Sequence, residues 1–168
     1  MRIETTDHKL EPVLLRPSPF DSLTAQALIA AVQQEYVRRY GGIDETPLDP
    51  AEFAAPTGYF VLAWQGPTAV GCGGWRSHPR PDVENQVAEI KRMYVSGAAR
   101  RRGIARLILG NLERTATAAG YSRLILETGD QQPEAIALYT ASGYRTEKPF
   151  GLYRDAPESR YFGKDLAG

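Results

Sequence analysis

The stretch AEIKRMYVSGAARRRGIA, residues 88–105, changes character half-way along. Its first half, up to Val95, reads as a β-strand, and Ser96-Gly97 then turns the chain. Its second half, Arg100-Arg101-Arg102-Gly103-Ile104-Ala105, is a basic hinge that opens a helical pattern. The first N–H groups of a helix have no intrahelical partners, and the helix dipole adds positive potential there. Three guanidinium groups and a glycine that admits close backbone approach complete a site suited to phosphate. As isolated residues the arginines would read as a solvated turn. The adjoining glycine and helix start set them apart.

Downstream, Ile104, Leu107, Ile108, Leu112, Thr115 and Ala119 fall on one helical face, and Gly120 stops the helix. Residues 123–127 (RLILE) follow as a compact apolar strand buried on both faces. Strand, helix and strand then form a βαβ unit. Gln132-Pro133 opens another helix with Ala135, Ile136 and Tyr139 on one face and Gly143 at its end. Residues 144–147 and 159–166 are candidate last strands, separated by a loop rich in Gly, Pro, Tyr and charge.

Upstream, residues 59–64 (YFVLAW) and 69–75 (AVGCGGW) flank Gln65-Gly66-Pro67-Thr68, which reads as a hairpin turn. The glycines beside Cys72 predict a bulge or a close backbone approach. A proline-containing loop, residues 77–85, leads to the next strand, residues 87–95. Residues 12–16 form a short first strand. Asp21 or Ser22 caps a long helix to about Tyr40, with Leu23, Ala27, Ala30 or Ala31, Gln34 and Val37 at helical spacing. Gly41-Gly42 ends it, and a short second helix is expected over residues 50–55.

At 168 residues the chain is expected to form one domain. Lys+Arg and Asp+Glu balance at 20 each, which argues against a nucleic-acid partner and makes any basic site local. No stretch approaches the ~20 apolar residues of a spanning helix, so no membrane partner is expected. The N-terminal residues lack the apolar core of a signal peptide, and the lone Cys72 fits a reducing compartment; a cytoplasmic location is expected. Cys72 lies among small apolar residues and reads as a buried structural thiol. With His8 and His78 it gives no zinc spacing, and no metal is expected.

Neither a Walker loop nor a dinucleotide fingerprint fits the glycines present. In its order of motifs the chain resembles the GNAT N-acetyltransferase superfamily. The hinge matches that family's coenzyme pattern [RQ]-x-x-G-x-[GA] as Arg100-x-x-Gly103-x-Ala105, with AEIKRMYV just upstream and LETGDQQPEAIALYTASGY downstream. The family's later motif often has asparagine where Gln132 stands. The resemblance implies an α/β fold: a mixed sheet of about seven mostly antiparallel strands, splayed between the fourth and fifth, with about four helices. It implies acetyl-coenzyme A as co-substrate, held by Met93, Tyr94, Val95, Arg100, Arg101, Arg102, Gly103, Ile104, Ala105, Gln132, Ala135 and Tyr139.

The reaction implied is attack of an amine on the thioester of acetyl-CoA within a ternary complex. An alkyl ammonium with a pKa near 10 must first lose a proton. The resemblance gives that base role to Glu89, with Glu127 as the competing carboxylate and Glu35 as a weaker one. Tyr139 is expected to protonate the departing thiolate. A backbone N–H at a bulge among Met93, Tyr94 and Val95 would hold the thioester oxygen. The residues themselves do not show that bulge; a regular strand puts Glu89, Lys91, Met93 and Val95 on one face.

The acceptor is expected to be a small primary amine, lying near Glu35, Tyr36, Tyr40, Arg76, Glu127, Tyr153 and Arg154. Arginines beside aromatic walls suit an amine that also carries a carboxylate, such as an amino acid. Two alternatives stay open: a non-catalytic acyl-CoA-binding regulatory domain, and acetylation of a protein amino group. The sequence gives no decisive sign of oligomeric state, and a homodimer stays open.

Overall fold

The structure is a computed structural model that describes residues 11–78 and 86–167; His8 and most of the loop before residue 87 lie outside these. Seven strands form one sheet in the order β1-β2-β3-β4-β5-β7-β6. They are β1 (Val13–Pro17), β2 (Gly58–Gln65), β3 (Thr68–Ser77), β4 (Val87–Val95), β5 (Arg123–Gly129), β6 (Arg145–Thr146) and β7 (Ser159–Asp165). Three α-helices accompany them: α1 (Leu23–Tyr40), α2 (Ile104–Ala118) and α3 (Pro133–Ala141). All pairings are antiparallel except β4 with β5, the parallel pair of the β4-α2-β5 unit.

The short second helix expected over residues 50–55 is instead a single 3-10 turn, Pro50–Phe53. Asp49 and Glu52 close a capping box around it, but Ala54 is already extended, which leaves too few residues for an α-turn to propagate. Its buried Phe53 stacks on Phe20 at 4.4 Å between ring centroids. That contact anchors the α1–β2 connection.

α1 begins where expected, with the Ser22 hydroxyl accepting from the Ala25 N–H at 3.1 Å, and ends at Gly41, φ 79°. Its buried face is not the expected one. Ala25, Leu28, Ile29 and Val32 face the sheet, whereas Leu23 is 92% exposed and Val37 38%. Two interleaved apolar stripes share this helix, and the one with larger side chains at i, i+3, i+4 and i+7 wins burial. α2 shows a smaller departure. Ile104, Ile108, Leu109, Leu112 and Ala116 are buried, and Leu107 is half exposed.

α1 covers one face of the sheet and α2 the other. Phe60, Leu62 and Cys72 pack toward α1, while Val61, Ala63 and Trp75 pack toward α2. The indole N–H of Trp75 donates to Thr115 Oγ1 at 2.9 Å, fixing α2 on the sheet.

Two irregularities in β4 shape the centre of the molecule. Its parallel pairing with β5 covers only Val87↔Arg123 to Glu89↔Ile125. Beyond Glu89 the two strands splay. The register with β3 also slips, because Cys72 opposes Tyr94 and Gly74 opposes Lys91. Arg92 and Met93 thus share one place opposite Gly73, a β-bulge with Arg92 at φ 58°. The glycines of β3 fit the expectation, since a Cβ on Gly74 would lie 2.6 Å from the Tyr59 carbonyl oxygen. The bulge reverses the expected alternation. Glu89, Lys91 and Arg92 lie on the α1 side, and Met93 and Val95 pack with the α2 cluster.

Candidate functional site

The hinge after β4 has the backbone of an anion cradle. Arg101 takes φ 64° and Gly103 φ 75°, while Arg100 between β4 and Arg101 is extended. Gly103 is the N-cap of α2, and no side chain caps that end. A Cβ on Gly103 would meet nothing within 4 Å, so glycine is needed there for its dihedral angle and not for packing. The open end of α2 and the flanking arginines therefore fit a pyrophosphate.

The three arginines divide their tasks. Arg100 donates from Nε to the Val95 carbonyl at 2.9 Å and pairs with Glu35 on α1. Glu35 also lies 4.0 Å from Arg39, which pairs with Glu134 on α3 at 2.6 Å. This chain of charges ties the hinge to α1 and α3. Arg102 donates to the Ala98 carbonyl and to Gln65 Oε1, both at 3.1 Å, and Arg101 is exposed.

The splay between β4 and β5 opens a cleft of about 140 Å³ that reaches through the sheet. Tyr36 and Tyr40 of α1 line it from one face, Tyr139 and Ala135 of α3 from the other. The Tyr139 hydroxyl reaches Met93 Sδ at 3.6 Å. Burial pushes the phenols of both Tyr36 and Tyr139 well above the usual range, so both are neutral proton donors at ordinary pH. Gln132 also lines this cleft.

A second cleft, about 380 Å³, adjoins the first. Arg76, His78, Glu89, Phe150 and Leu152 line it, and it shares Lys91, Glu127 and Tyr153 with its neighbour. The two carboxylates differ in company. Glu89, 5% exposed, lies 3.4 Å from Arg76, 3.7 Å from Lys91 and 3.9 Å from His78. Glu127 makes no ion pair within 4 Å among the described residues and accepts one hydrogen bond, from the Ser159 hydroxyl at 3.0 Å. Burial raises its pKa above the ordinary 4.5, against the opposing pull of Lys91 and Ser159.

Residues 29–144 match the model of the Acetyltransferase (GNAT) family. The chain belongs to that family. It is an acyl-CoA-dependent N-acetyltransferase, and its α/β sheet with the single parallel pair β4–β5 is the fold that the GNAT resemblance implies. An "IAA acetyltransferase" from Azospirillum brasilense is 36% identical over 153 residues, spanning 91% of this chain and 97% of that relative. A solved structure from Klebsiella pneumoniae, provisionally described as an acyl-CoA N-acyltransferase, superposes with a TM-score of 0.73 at 29% identity, covering 92% of this chain and 98% of the other. A GNAT acetyltransferase from Elizabethkingia anophelis, solved with acetyl-CoA bound, shares the fold at a TM-score of 0.63 and 18% identity, covering 92% and 98%.

Of the GNAT site residues expected from sequence, the structure brings Tyr36, Tyr40, Met93, Glu127, Gln132, Ala135, Tyr139 and Tyr153 to the first cleft, and Arg76, Glu89, Glu127 and Tyr153 to the second. Tyr94, Val95 and the hinge residues Arg100 to Ala105 line neither cleft, and two of the expected acceptor residues also lie apart. Glu35 is engaged by Arg100 and Arg39 at the hinge, and Arg154, 69% exposed at its side chain, pairs with Asp155. Sequence reasoning missed Asp44. Its carboxylate lies 2.5 Å from Arg92 Nη1 and 3.4 Å from Lys91 Nζ. Its two cationic partners stand nearly fifty positions away, and only the Gly41-Gly42 pair before it hints at a shaped loop. Cys72 is a buried thiol as expected, its pKa pushed up to about 12 by burial, and it donates to the Arg92 carbonyl at 3.3 Å. Among the described residues no group of His, Cys, Asp and Glu is arranged to hold a metal, and no helix is long and apolar enough to cross a membrane.

Proposed function

We propose that this GNAT enzyme acetylates the primary amine of a small molecule that also bears a carboxylate, such as an amino acid. The observation that carries the proposal is the meeting of the two clefts at Lys91, Glu127 and Tyr153. Acetyl-CoA supplies the activated acyl group, along the first cleft from the α2 hinge. The amine enters by the second.

Within that arrangement Arg100 to Ala105 hold the donor's phosphates, and Met93 to Val95 offer backbone groups that β5 leaves unpaired. A hydrogen bond from this part of β4 orients the thioester carbonyl. Glu127 takes the proton from the incoming ammonium. It is preferred over Glu89 because it lines both clefts, makes no ion pair within 4 Å among the described residues and has a pKa that burial raises despite the pull of Lys91, closer to the working pH that favours a general base. Glu89 holds Arg76 and Lys91 in place. Tyr139, which lines the first cleft with its hydroxyl 3.6 Å from Met93 Sδ, protonates the leaving thiolate.

The acceptor's carboxylate is assigned to Arg76. Its Nη1 donates to Glu52 and the Pro47 carbonyl and its Nη2 lies 3.4 Å from Glu89 Oε2, while its Nε has no hydrogen-bond partner. We further propose that one domain spans the chain and that it works in the cytoplasm.

A thiol-release assay against amino acids, dipeptides, polyamines and peptides tests the proposal. Saturable release with a carboxylate-bearing amine is expected. Tight acetyl-CoA binding with no release above hydrolysis for any acceptor would favour the regulatory alternative, and release with peptides alone would favour a protein acceptor.

A further inference from the structure

Arg92 is a non-glycine residue in the left-handed region, in the middle of a strand. Such a conformation is strained and persists only when its surroundings impose it. Here the residue is held at both ends. Its carbonyl accepts from Cys72 Sγ, and its buried guanidinium donates to Asp44 Oδ2 at 2.5 Å. Lys91 Nζ reaches the same oxygen at 3.4 Å.

Asp44 is itself fixed. Its Oδ1 accepts from the Thr46 N–H at 2.9 Å and the Thr46 hydroxyl at 2.6 Å. Its backbone N–H donates to Gln33 Oε1 at 2.9 Å, and its carbonyl accepts from Gln33 Nε2 at 3.1 Å. Burial opposes its charge, yet Lys91 and Arg92 hold its carboxyl well below the usual range, so the cluster stays ionised. Asp44 thus connects α1 to the bulge in β4 through a chain of short contacts.

We propose that Asp44 is a positioning residue for the acyl donor: through Arg92 it imposes the left-handed turn that presents the backbone of residues 93–95 to the pantetheine arm. The inference rests on the donor lying along β4, as proposed above, and does not require Asp44 to touch either substrate. Gly42, Ile43 and Asp44 line the first cleft together with Lys91 and Arg92, so the loop after α1 and the donor-binding edge share one ion cluster.

The test uses calorimetric acetyl-CoA affinity, which needs no acceptor and no turnover. Arg92→Ala removes the clamp and keeps the steric penalty; it is expected to weaken binding by roughly tenfold, the left-handed strain converted to an equilibrium. Arg92→Gly removes the clamp and the penalty together, and should stay within about threefold of the unaltered protein. Asp44→Asn should match Arg92→Ala, and adding it to Arg92→Gly should cost little more. If Arg92→Gly binds as poorly as Arg92→Ala, the guanidinium itself is needed and the inference fails. It fails too if all affinities are unchanged while the melting temperature drops, which is what a purely structural cluster predicts. Should Asp44→Asn not fold, the Arg92 pair decides alone. A chain that passes this test yet acetylates no amine would refute the proposed function while leaving the clamp intact.

Discussion

The hinge proposed to hold the donor's phosphates and the two clefts proposed to bring donor and acceptor together are built in opposite ways. The hinge is one continuous segment, Arg100 to Ala105, and its proposed role rests on backbone angles and a helix end. The clefts are assembled from side chains of α1 and the loop after it, of β3, β4 and β5, of α3 and of the loop before β7. Backbone recognition of a shared coenzyme tolerates few sequences. Side-chain recognition of an acceptor can be rebuilt one residue at a time.

That contrast can be broken most severely at Tyr139, a side chain of the first cleft. Tyr139→Phe is expected to lower kcat by about 10²-fold, the scale of general acid catalysis, with little change in acetyl-CoA affinity. Steady-state kinetics with calorimetry checks it; unchanged turnover would remove the acid role. Next comes Arg100→Ala, which should raise KM for acetyl-CoA by roughly tenfold, the worth of one charge-assisted phosphate contact, and leave the acceptor's KM nearly unaltered. An equal effect on both would mean that the Glu35 link carries more than the phosphate contact.

Smaller effects sharpen the boundary between scaffold and site. Leu112→Ala, in a fully buried side chain under the sheet, should cost about 2–5 kcal/mol in denaturant unfolding. Leu23→Ala should stay within about 0.5 kcal/mol, because that leucine is exposed despite its place on the expected helical face.

The same division governs what was legible in the sequence. Turns, caps and strands are local, so Ser22, Gly41, Gly66 and Gly143 mark their elements correctly, and the bounds of β4 are those expected. The hinge was legible because its chemistry is contiguous. The burying face of α1 was not, since alanine-rich spacing supports two stripes and only the sheet chooses between them. The bulge at Arg92 was hidden for a different reason. It is imposed by Asp44 and Cys72 from other segments, and no residue in RMYV announces a left-handed turn. Glu127 and Glu89 looked alike as strand carboxylates, and only their partners in space distinguish them.

The choice between those carboxylates also has consequences for stability. Because burial raises the pKa of Glu127 in the folded chain, its ionisation opposes folding: the stability it gives below the unfolded pKa is lost as pH rises through the folded one. Glu127→Gln should therefore raise the melting temperature at neutral pH even as it slows the enzyme. The decisive measurement is the pH profile of kcat/KM for Glu127→Gln beside Glu89→Gln. We expect an acid limb above 4.5 in the unaltered enzyme that survives Glu89→Gln and disappears, with about a 10²-fold loss of rate, in Glu127→Gln. If the limb vanishes with Glu89→Gln and persists in Glu127→Gln, the proton passes through Glu89 and the account of the two clefts is wrong at its centre.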